Sequence, residues 1–196
     1  MRIVLVHGYN ASPEHNFWPW LRKELVKRGH EVIVPTLPNP AEPNCQEWVK
    51  AIDDSIKYPE GDTVFIGHSL GCVALLHYLE EADMSGTPKS VILVSPIYHV
   101  GAERFKSFFE PPVDFDTVMW KGQGFAIVHA KDDDVVPFDH ALKYEKELQG
   151  QLRELEEGKH FVEAKELPIL LDLIDDNDVE PGASLSDDFK EIEIVL

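Results

Sequence analysis

The sequence predicts an α/β fold in which helices cover both faces of a mostly parallel, six-stranded sheet, giving three αβα layers. Two observations support this prediction. Six runs rich in apolar and β-branched residues recur along the 196-residue chain, and segments with helical spacing of apolar residues separate them. Strands that alternate with helices form right-handed βαβ units, and such units build parallel sheets.

The six predicted strands are apolar runs bounded by turn residues. The first, third, fourth and fifth are continuously apolar, as expected of strands that are covered on both faces. The second stops at Pro35, and the sixth is the least apolar. In chain order, the strands span residues 2–7, 31–34, 63–67, 90–94, 125–129 and 151–156.

Five predicted helices lie between or after these strands. The first has apolar residues at helical spacing from Phe17 to Leu25, and Gly29 ends it. Asn44 is positioned to cap the second helix. In chain order, the helices span residues 15–28, 45–57, 70–81, 138–148 and 162–173, and Pro168 interrupts the last.

Two regions do not fit this alternation. Residues 96–124 are rich in aromatic side chains, so they form either a short cap over a site or a helix and loop packed on the sheet. The aromatic residues considered for a cap are Phe105, Phe108, Phe109, Phe115 and Trp120. Residues 174–196 form an acidic tail after a single domain of residues 1–173. We expect this tail either to be disordered or to add an edge strand, because Glu and Ile alternate in EIEIVL.

Composition narrows the classes of partner. The formal net charge of −18 disfavours nucleic acid and anionic membranes. No apolar run reaches the roughly 18 residues of a membrane span, and the N-terminal MRIVLVHGYN lacks the cleavage pattern of a signal peptide. Cys45 and Cys72 form neither a CxxC pair nor a metal-ligand pattern. We therefore expect a cytoplasmic protein with two reduced thiols and no membrane span.

The pentad Gly67-His68-Ser69-Leu70-Gly71 is the most informative motif. It fits G-x-S-x-G, follows a predicted strand directly and opens a predicted helix, which is the setting of a nucleophile elbow. A serine on such a strained bend exposes its hydroxyl, and the two glycines avoid collisions with the neighbouring strand and helix. The helix N-terminus behind the serine favours developing negative charge. A simpler interpretation is a β-to-α turn with a capping serine.

A nucleophilic serine needs a histidine base and an acid that orients the base. In this kind of fold, both follow later strands, in the order acid and then histidine. The fifth strand runs into KDDDVVPF. Asp133 is the preferred acid, because Asp-x-Val-Val-Pro leaves it at the turn while Val135 and Val136 pack inward. Asp132 is its rival, and Asp134 is expected to be solvated.

The base is predicted in the GKHF loop after the sixth strand. His160 is therefore the predicted base. The alternative is that His160 is a solvated loop histidine. The backbone N–H groups of Tyr9 and Leu70 are the predicted oxyanion hole, because Gly8 lets the loop after the first strand approach the elbow. The candidate substrate-pocket residues are Asn10, His68, Phe105 and Phe109.

These segments together resemble the α/β-hydrolase superfamily. More narrowly, they are similar to the small serine hydrolases related to the retinoblastoma-binding hydrolase and its bacterial YdeN-like relatives. The resemblance covers roughly residues 1–172 and rests on VHGYNASPEHNFWPWL, TLPNPAEPNCQEW, FIGHSLGCVALLHYL, KDDDVVPF and GKHF. It implies a minimal α/β-hydrolase fold without the usual N-terminal antiparallel strands. It also implies the catalytic triad Ser69, Asp133 and His160, with no metal and no cofactor.

The predicted function is hydrolysis of small carboxylic esters, or of thioesters or amides, through an acyl-enzyme intermediate. A small acyl-containing substrate is the predicted partner. One alternative is a non-catalytic or weakly catalytic binding protein that keeps the hydrolase fold, and another is an aminopeptidase on the same triad. The first alternative is disfavoured because a pure binding protein has no physical need of an intact triad.

Overall fold

A single sheet carries the residues of interest at one of its edges. The computed structural model describes residues 1–56, 61–83 and 86–175. Its strands are β1 Arg2–Val6, β2 Glu31–Ile33, β3 Thr63–His68, β4 Ser90–Val94, β5 Phe125–Ala130 and β6 Gln151–Leu155. They pair in the order β2-β1-β3-β4-β5-β6, and every pair is parallel. The predicted α/β class and six-stranded sheet are confirmed.

Helices cover both faces of this sheet. They are α1 Trp18–Lys27, α2 Cys45–Ile56, α3 Leu70–Glu81, α4 Phe115–Lys121, α5 Asp139–Leu148 and α6 Ile169–Asp175, with a 3-10 helix at Glu103–Phe108. Helices α1 and α6 pack on one face, and the others pack on the opposite face. The predicted end of α1 at Gly29 has the expected positive φ of 79°. Asn44 caps α2 by accepting the Glu47 N–H at 3.2 Å.

The central strands are buried on both sides, which explains their continuous apolar runs. On β3, Phe65 faces the core with α2 to α5, while Ile66 faces the core with α1 and α6. The same alternation on β5 sends Ile127 to the first core and Val128 to the second. Each of these side chains is fully buried, so each contributes roughly 1.5–3 kcal/mol to folding.

Two predicted helices have different bounds in the structure. Helix α1 begins at Trp18 instead of residue 15, because Asn16 has a φ of 56° and cannot continue a helix. The predicted helix 162–173 is wrong in its first half. Residues 162–168 form turns, and α6 begins immediately after Pro168, whose missing N–H suits a helix start. Helix α6 extends to Asp175, so residues 174 and 175 belong to the last helix.

Residues 96–124 form the 3-10 helix and α4, both packed against α3. Phe108 and Val118 are fully buried there. The ring of His77 on α3 contacts the Phe108 carbonyl oxygen at 3.0 Å. Trp120, one of the aromatic residues considered for a cap, is 82 % exposed and covers nothing. Most of this region therefore packs on the domain, and only its first part reaches the edge of the sheet described below.

The proposed tail from residue 176 onward lies outside the described residues, as does Lys57 at the end of the predicted second helix. Across the described ranges, no helix combines the length and the apolar composition needed to cross a membrane.

The chain changes direction between β1 and β3. After β1 it turns to β2 at one side, and from β3 onward it proceeds toward β6 at the other side. The loops that follow β1 and β3 therefore diverge and leave a crevice at the C-terminal edge of the sheet. Ligands of open parallel sheets bind at such a position.

Candidate active site

Ser69 lies on a strained bend between β3 and α3. Its backbone has φ 56° and ψ −124°, a conformation that non-glycine residues rarely adopt. The flanking glycines make this bend sterically feasible. A Cβ on Gly67 would lie 2.9 Å from the Cα of Cys72 on α3, and a Cβ on Gly71 would lie 2.7 Å from the Val6 carbonyl oxygen at the end of β1. The bend therefore brings strand and helix closer together than any larger residue would allow.

Ser69, His160 and Asp133 form a continuous hydrogen-bonded chain. His160 Nε2 lies 2.9 Å from Ser69 Oγ, and His160 Nδ1 lies 2.9 Å from Asp133 Oδ2. The three residues follow β3, β6 and β5, respectively, so the parallel sheet places them at one edge. This arrangement can transfer the hydroxyl proton of the serine to the imidazole.

The Asp133 carboxylate is fully buried and accepts hydrogen bonds on both oxygens. The N–H groups of Val135 and Val136 donate to Oδ1 at 2.9 and 2.8 Å. At Oδ2, His129 Nε2 lies 3.3 Å away, in addition to His160. Burial acts to raise the pKa of Asp133, but the hydrogen bonds from the two histidines and Val136 outweigh it and hold the pKa well below its usual range.

The rival acids lie elsewhere. Asp132 is exposed, and its Oδ1 accepts the N–H of Lys159 at 2.8 Å, so it supports the loop that carries His160. Asp134 is exposed, as predicted. Val136 packs inward, but the prediction for Val135 was wrong, because this side chain is 61 % exposed. The two backbone N–H bonds to Asp133 fix the turn in a form that leaves Val135 at the surface.

Backbone geometry, a buried ring and one hydrogen bond position the loop around His160. Lys159 and Phe161, on either side of His160, have positive φ values of 49° and 57°. Phe161 is buried in the core beside α6. The carbonyl oxygen of His160 lies 3.0 Å from His68 Nε2. His68, the residue before Ser69, therefore positions the main chain of His160, whose ring contacts Ser69.

His68 performs this role as a neutral ring. Burial, reinforced by the charge of His160, lowers the pKa of His68 to about 3. Its Nε2 faces a carbonyl oxygen and must carry the proton, while Nδ1 has no hydrogen-bond partner among the described residues. His68 was predicted as a pocket residue. It borders the cavity at Ser69, but its ring is 2 % exposed and positions the His160 loop.

We expect His68 to make the protein sensitive to acid. Burial lowers the pKa of His68 from its ordinary value of about 6.5 to about 3. Between these two pH values, the ring is protonated in the unfolded chain and neutral in the folded chain. This contribution to stability is complete above the unfolded pKa and decreases as the pH falls below it, by about 2 kcal/mol between about pH 7 and about pH 5. Urea unfolding at both pH values measures this loss.

The matched variants are His68→Gln, whose amide can still donate to the His160 carbonyl oxygen, and His99→Gln at an exposed histidine. The first should reduce the acid-dependent loss by about 2 kcal/mol, and the second should leave it unchanged. An equal loss of stability in His68→Gln and in the wild type would contradict this account.

The predicted oxyanion-hole amides lie beside Ser69. A Cβ on Gly8 would lie 2.9 Å from Ser69 Cβ, so the loop after β1 directly contacts the elbow. Within the described residues, the N–H groups of Tyr9 and Leu70 donate to no backbone carbonyl oxygen. The N–H of Asn10 donates to the Pro40 carbonyl oxygen at 2.8 Å, which ties this loop to the proline-rich connection. The two amides are therefore available to a substrate oxygen.

A cavity of about 620 Å³ opens at Ser69. Three of the predicted pocket residues, Asn10, His68 and Phe105, line it. The prediction for Phe109 was wrong, because this ring lines a separate cavity of about 200 Å³. Phe105 lies within the 3-10 helix and Phe109 follows its end, and only Phe105 lines the cavity at Ser69. His99 borders both cavities.

Two residues near the site were not predicted. His129 shares its Nε2 N–H between the Val136 carbonyl oxygen at 3.0 Å and Asp133, so it is a positioning residue. Its place within an apolar strand gives no sign of this contact. Arg104 lines the cavity. It is the sole arginine between Arg28 and Arg153, and it lies in the aromatic segment, which was a usable signal.

Comparison with known proteins identifies the family of this chain. The family model for serine hydrolases matches residues 3–168, most of the chain. The chain belongs to the Serine hydrolase family. YdeN of Bacillus subtilis, a relative, is 28 % identical over 178 residues, covering 88 % of this chain and 94 % of YdeN. The serine hydrolase RBBP9 of Rattus norvegicus is 23 % identical over 163 residues, covering 81 % and 85 % of the two chains.

Solved structures of similar proteins share the fold. The crystal structure of the B. subtilis ydeN gene product has a TM-score of 0.85 at 27 % identity, covering 90 % of this chain and 97 % of that chain. Est1E from Butyrivibrio proteoclasticus, solved with ferulic acid bound, has a TM-score of 0.68 at 15 % identity, covering 88 % and 86 %. The predicted family is confirmed, and with it the prediction that the chain is a serine hydrolase.

Proposed function

We propose that this serine hydrolase cleaves small carboxylic esters through an acyl-enzyme intermediate on Ser69. The observation that supports the proposal most strongly is the hydrogen-bonded chain from Asp133 through His160 to Ser69, which ends at the 620 Å³ cavity. A buried carboxylate, an imidazole with both nitrogens engaged and a hydroxyl at a cavity together supply what acyl transfer requires.

In the first step, His160 Nε2 accepts the proton of the Ser69 hydroxyl while Oγ attacks the ester carbonyl carbon. The carbonyl oxygen becomes an oxyanion, which the amides of Tyr9 and Leu70 stabilise. Asp133 holds the imidazole and stabilises its positive charge. The carbon–oxygen bond to the leaving group then breaks, and His160 returns the proton to the departing alcohol.

In the second step, water attacks the acyl-enzyme by the same route. His160 accepts a proton from the water, a second oxyanion forms in the same hole, and the bond to Ser69 Oγ breaks as the proton returns to that oxygen. The products are the free acid and the regenerated hydroxyl. The positive φ of Ser69 keeps Oγ at the cavity through both steps.

The dimensions of the cavity favour substrates of modest size. A volume of about 620 Å³ lies within the range of small-molecule sites, roughly 300–1,000 Å³. Most of residues 96–124 packs on α3, so this segment does not enclose a long acyl chain. We propose that the enzyme cleaves esters more readily than amides, because an alcohol leaves more readily than an amine. Thioesters fit the same mechanism.

A fluorophosphonate probe tests this proposal directly. We expect one probe molecule to attach covalently to the wild type, on the peptide that contains Ser69, and none to attach to Ser69→Ala. Denaturing the protein before adding the probe should abolish labelling, since the reaction requires the assembled histidine and aspartate. Labelling that persists in Ser69→Ala, or that maps to another serine, would remove the proposed nucleophile.

We also propose a cytoplasmic location, supported by the state of the two cysteines. Cys45 and Cys72 are free and buried. Burial raises the pKa of the Cys45 thiol to about 12 and raises that of Cys72 as well, so both are unreactive packed thiols. Free cysteines of this kind are typical of a reducing compartment.

A further inference from the structure

Among the described residues of this strongly acidic chain, no carboxylate lines the cavity at Ser69. Acids make up 28 of the 169 described residues, so about three would be expected among the twenty residues that line the cavity. None of those twenty is Asp or Glu. Asp133 lies behind His160 and does not line the cavity. The described residues that line the cavity therefore contribute no carboxylate to it.

Among the described residues that line the cavity, Arg104 is the one arginine or lysine. Its guanidinium carbon lies 5.4 Å from the centre of the Tyr9 ring and 5.0 Å from that of Phe105. These two rings pack edge to face at 5.0 Å. Within the described part of the chain, Arg104 has no carboxylate partner. The rings hold the guanidinium by cation–π contact, which leaves its N–H groups available for hydrogen bonds.

The position of Arg104 relates it to the reacting atoms. Tyr9 follows Gly8, whose backbone contacts Ser69, and the Tyr9 ring extends to Phe105 and Arg104. The positive charge therefore lies about one aromatic side chain away from the candidate oxyanion hole. A substrate whose ester carbonyl faces Ser69 would place a group several bonds away beside Arg104.

We infer that the substrate of this site carries a carboxylate, which Arg104 binds while Ser69 attacks the ester. This inference rests on the proposed ester hydrolysis. A guanidinium offers two parallel N–H donors that match the two oxygens of a carboxylate. A phosphate dianion is less suitable, because one arginine balances only a single negative charge. A substrate carboxylate beside Arg104 meets no like-charge repulsion from the described residues that line the cavity.

The test compares substrates that differ only in the carboxylate. Mono-4-nitrophenyl adipate and 4-nitrophenyl hexanoate form the pair that probes the acyl side. Sodium 4-acetoxybenzoate and methyl 4-acetoxybenzoate form the pair that probes the alcohol side. For the wild type, we expect kcat/KM to favour the charged member of one pair by about tenfold, mainly through KM, because a hydrogen bond to a charged group contributes about this much.

Variants of Arg104 assign the preference to its side chain. Arg104→Gln should abolish the preference in kcat/KM for the charged substrate. Arg104→Lys should retain part of this preference, since the charge remains while the bidentate geometry is lost. Arg22→Gln, at an exposed arginine on α1 that does not line the cavity, changes the net charge equally and should preserve the ratio. The ratio is the readout because losing the contact with Tyr9 would affect both substrates alike.

The outcomes separate this inference from the proposed function. If Ser69→Ala abolishes turnover but neither pair shows a preference in the wild type, the carboxylate inference fails and ester hydrolysis stands. A preference that survives in Arg104→Gln also overturns the assignment to Arg104. If Ser69→Ala retains full turnover of the neutral esters, the proposed function itself fails.

Discussion

Replacing Ser69 by alanine is expected to lower kcat for 4-nitrophenyl acetate by about 10⁶-fold, the loss typical of removing a triad serine. The expectation follows from the mechanism, because no other hydroxyl lies within hydrogen-bonding distance of His160 Nε2 among the described residues. Alanine keeps the Cβ of serine, so the strain at φ 56° is the same and the elbow is retained. Burst and steady-state release of 4-nitrophenol measure the change.

Ser95→Ala is a matched control for this variant. Ser95 follows the neighbouring strand β4, has a φ of 44° and is fully buried. Its Oγ has no hydrogen-bond partner in the described part of the chain, so its removal costs little stability. We expect Ser95→Ala to retain the activity of the wild type. If Ser69→Ala kept more than about a tenth of the activity, or if Ser95→Ala lost as much, the assignment of the nucleophile would be wrong.

The sequence predicts the spatial arrangement of the candidate site where that arrangement depends on the order of the strands. Parallel strands bring all their C-terminal ends to one edge, so a serine after the third strand and a histidine after the sixth lie on the same side of the sheet. The loop after β6 then brings His160 to within 2.9 Å of Ser69 Oγ. Strand order alone does not decide between Asp133 and Asp132. The conformation of a single turn determines which of these adjacent side chains points toward His160. That geometry depends on the N–H groups of Val135 and Val136, which both point to the Asp133 carboxylate.

Other features could not be predicted because they depend on contacts between distant segments. The ring of His68 meets the main chain of His160, 92 residues away. Hydrophobic periodicity reports which residues are buried, and it cannot tell which polar groups meet inside the core. The turns at residues 162–168 also escaped prediction, since apolar residues there contact the second core from a loop and give the same spacing as a helix. Packing also determines that Phe105 lines the cavity at Ser69 while Phe109 lines the smaller cavity, so the sequence could not distinguish these two residues.

Asp133→Asn is expected to lower kcat by about 10⁴-fold while leaving the fold intact. In the wild type, Oδ1 accepts two backbone N–H groups, so the asparagine carbonyl oxygen will occupy that position. The amide NH₂ must then face His160 Nδ1 and can only donate to it. This forces the imidazole proton onto Nε2, where it faces Ser69 and blocks transfer of the serine proton. The same NH₂ also opposes the N–H of His129, which keeps only the Val136 carbonyl oxygen as its acceptor.

Asp132→Asn provides the direct comparison, since it neutralises the neighbouring carboxylate and retains an oxygen for the Lys159 N–H. We expect less than about a tenfold loss of kcat from it, because Asp132 touches the loop and not the imidazole. Nδ1 chemical shifts of His160 in both variants add a readout of the tautomer, which should change in Asp133→Asn alone. Equal losses in the two variants would mean that both carboxylates act by holding the loop that carries His160. The assignment of Asp133 as the acid that orients the imidazole would then be wrong.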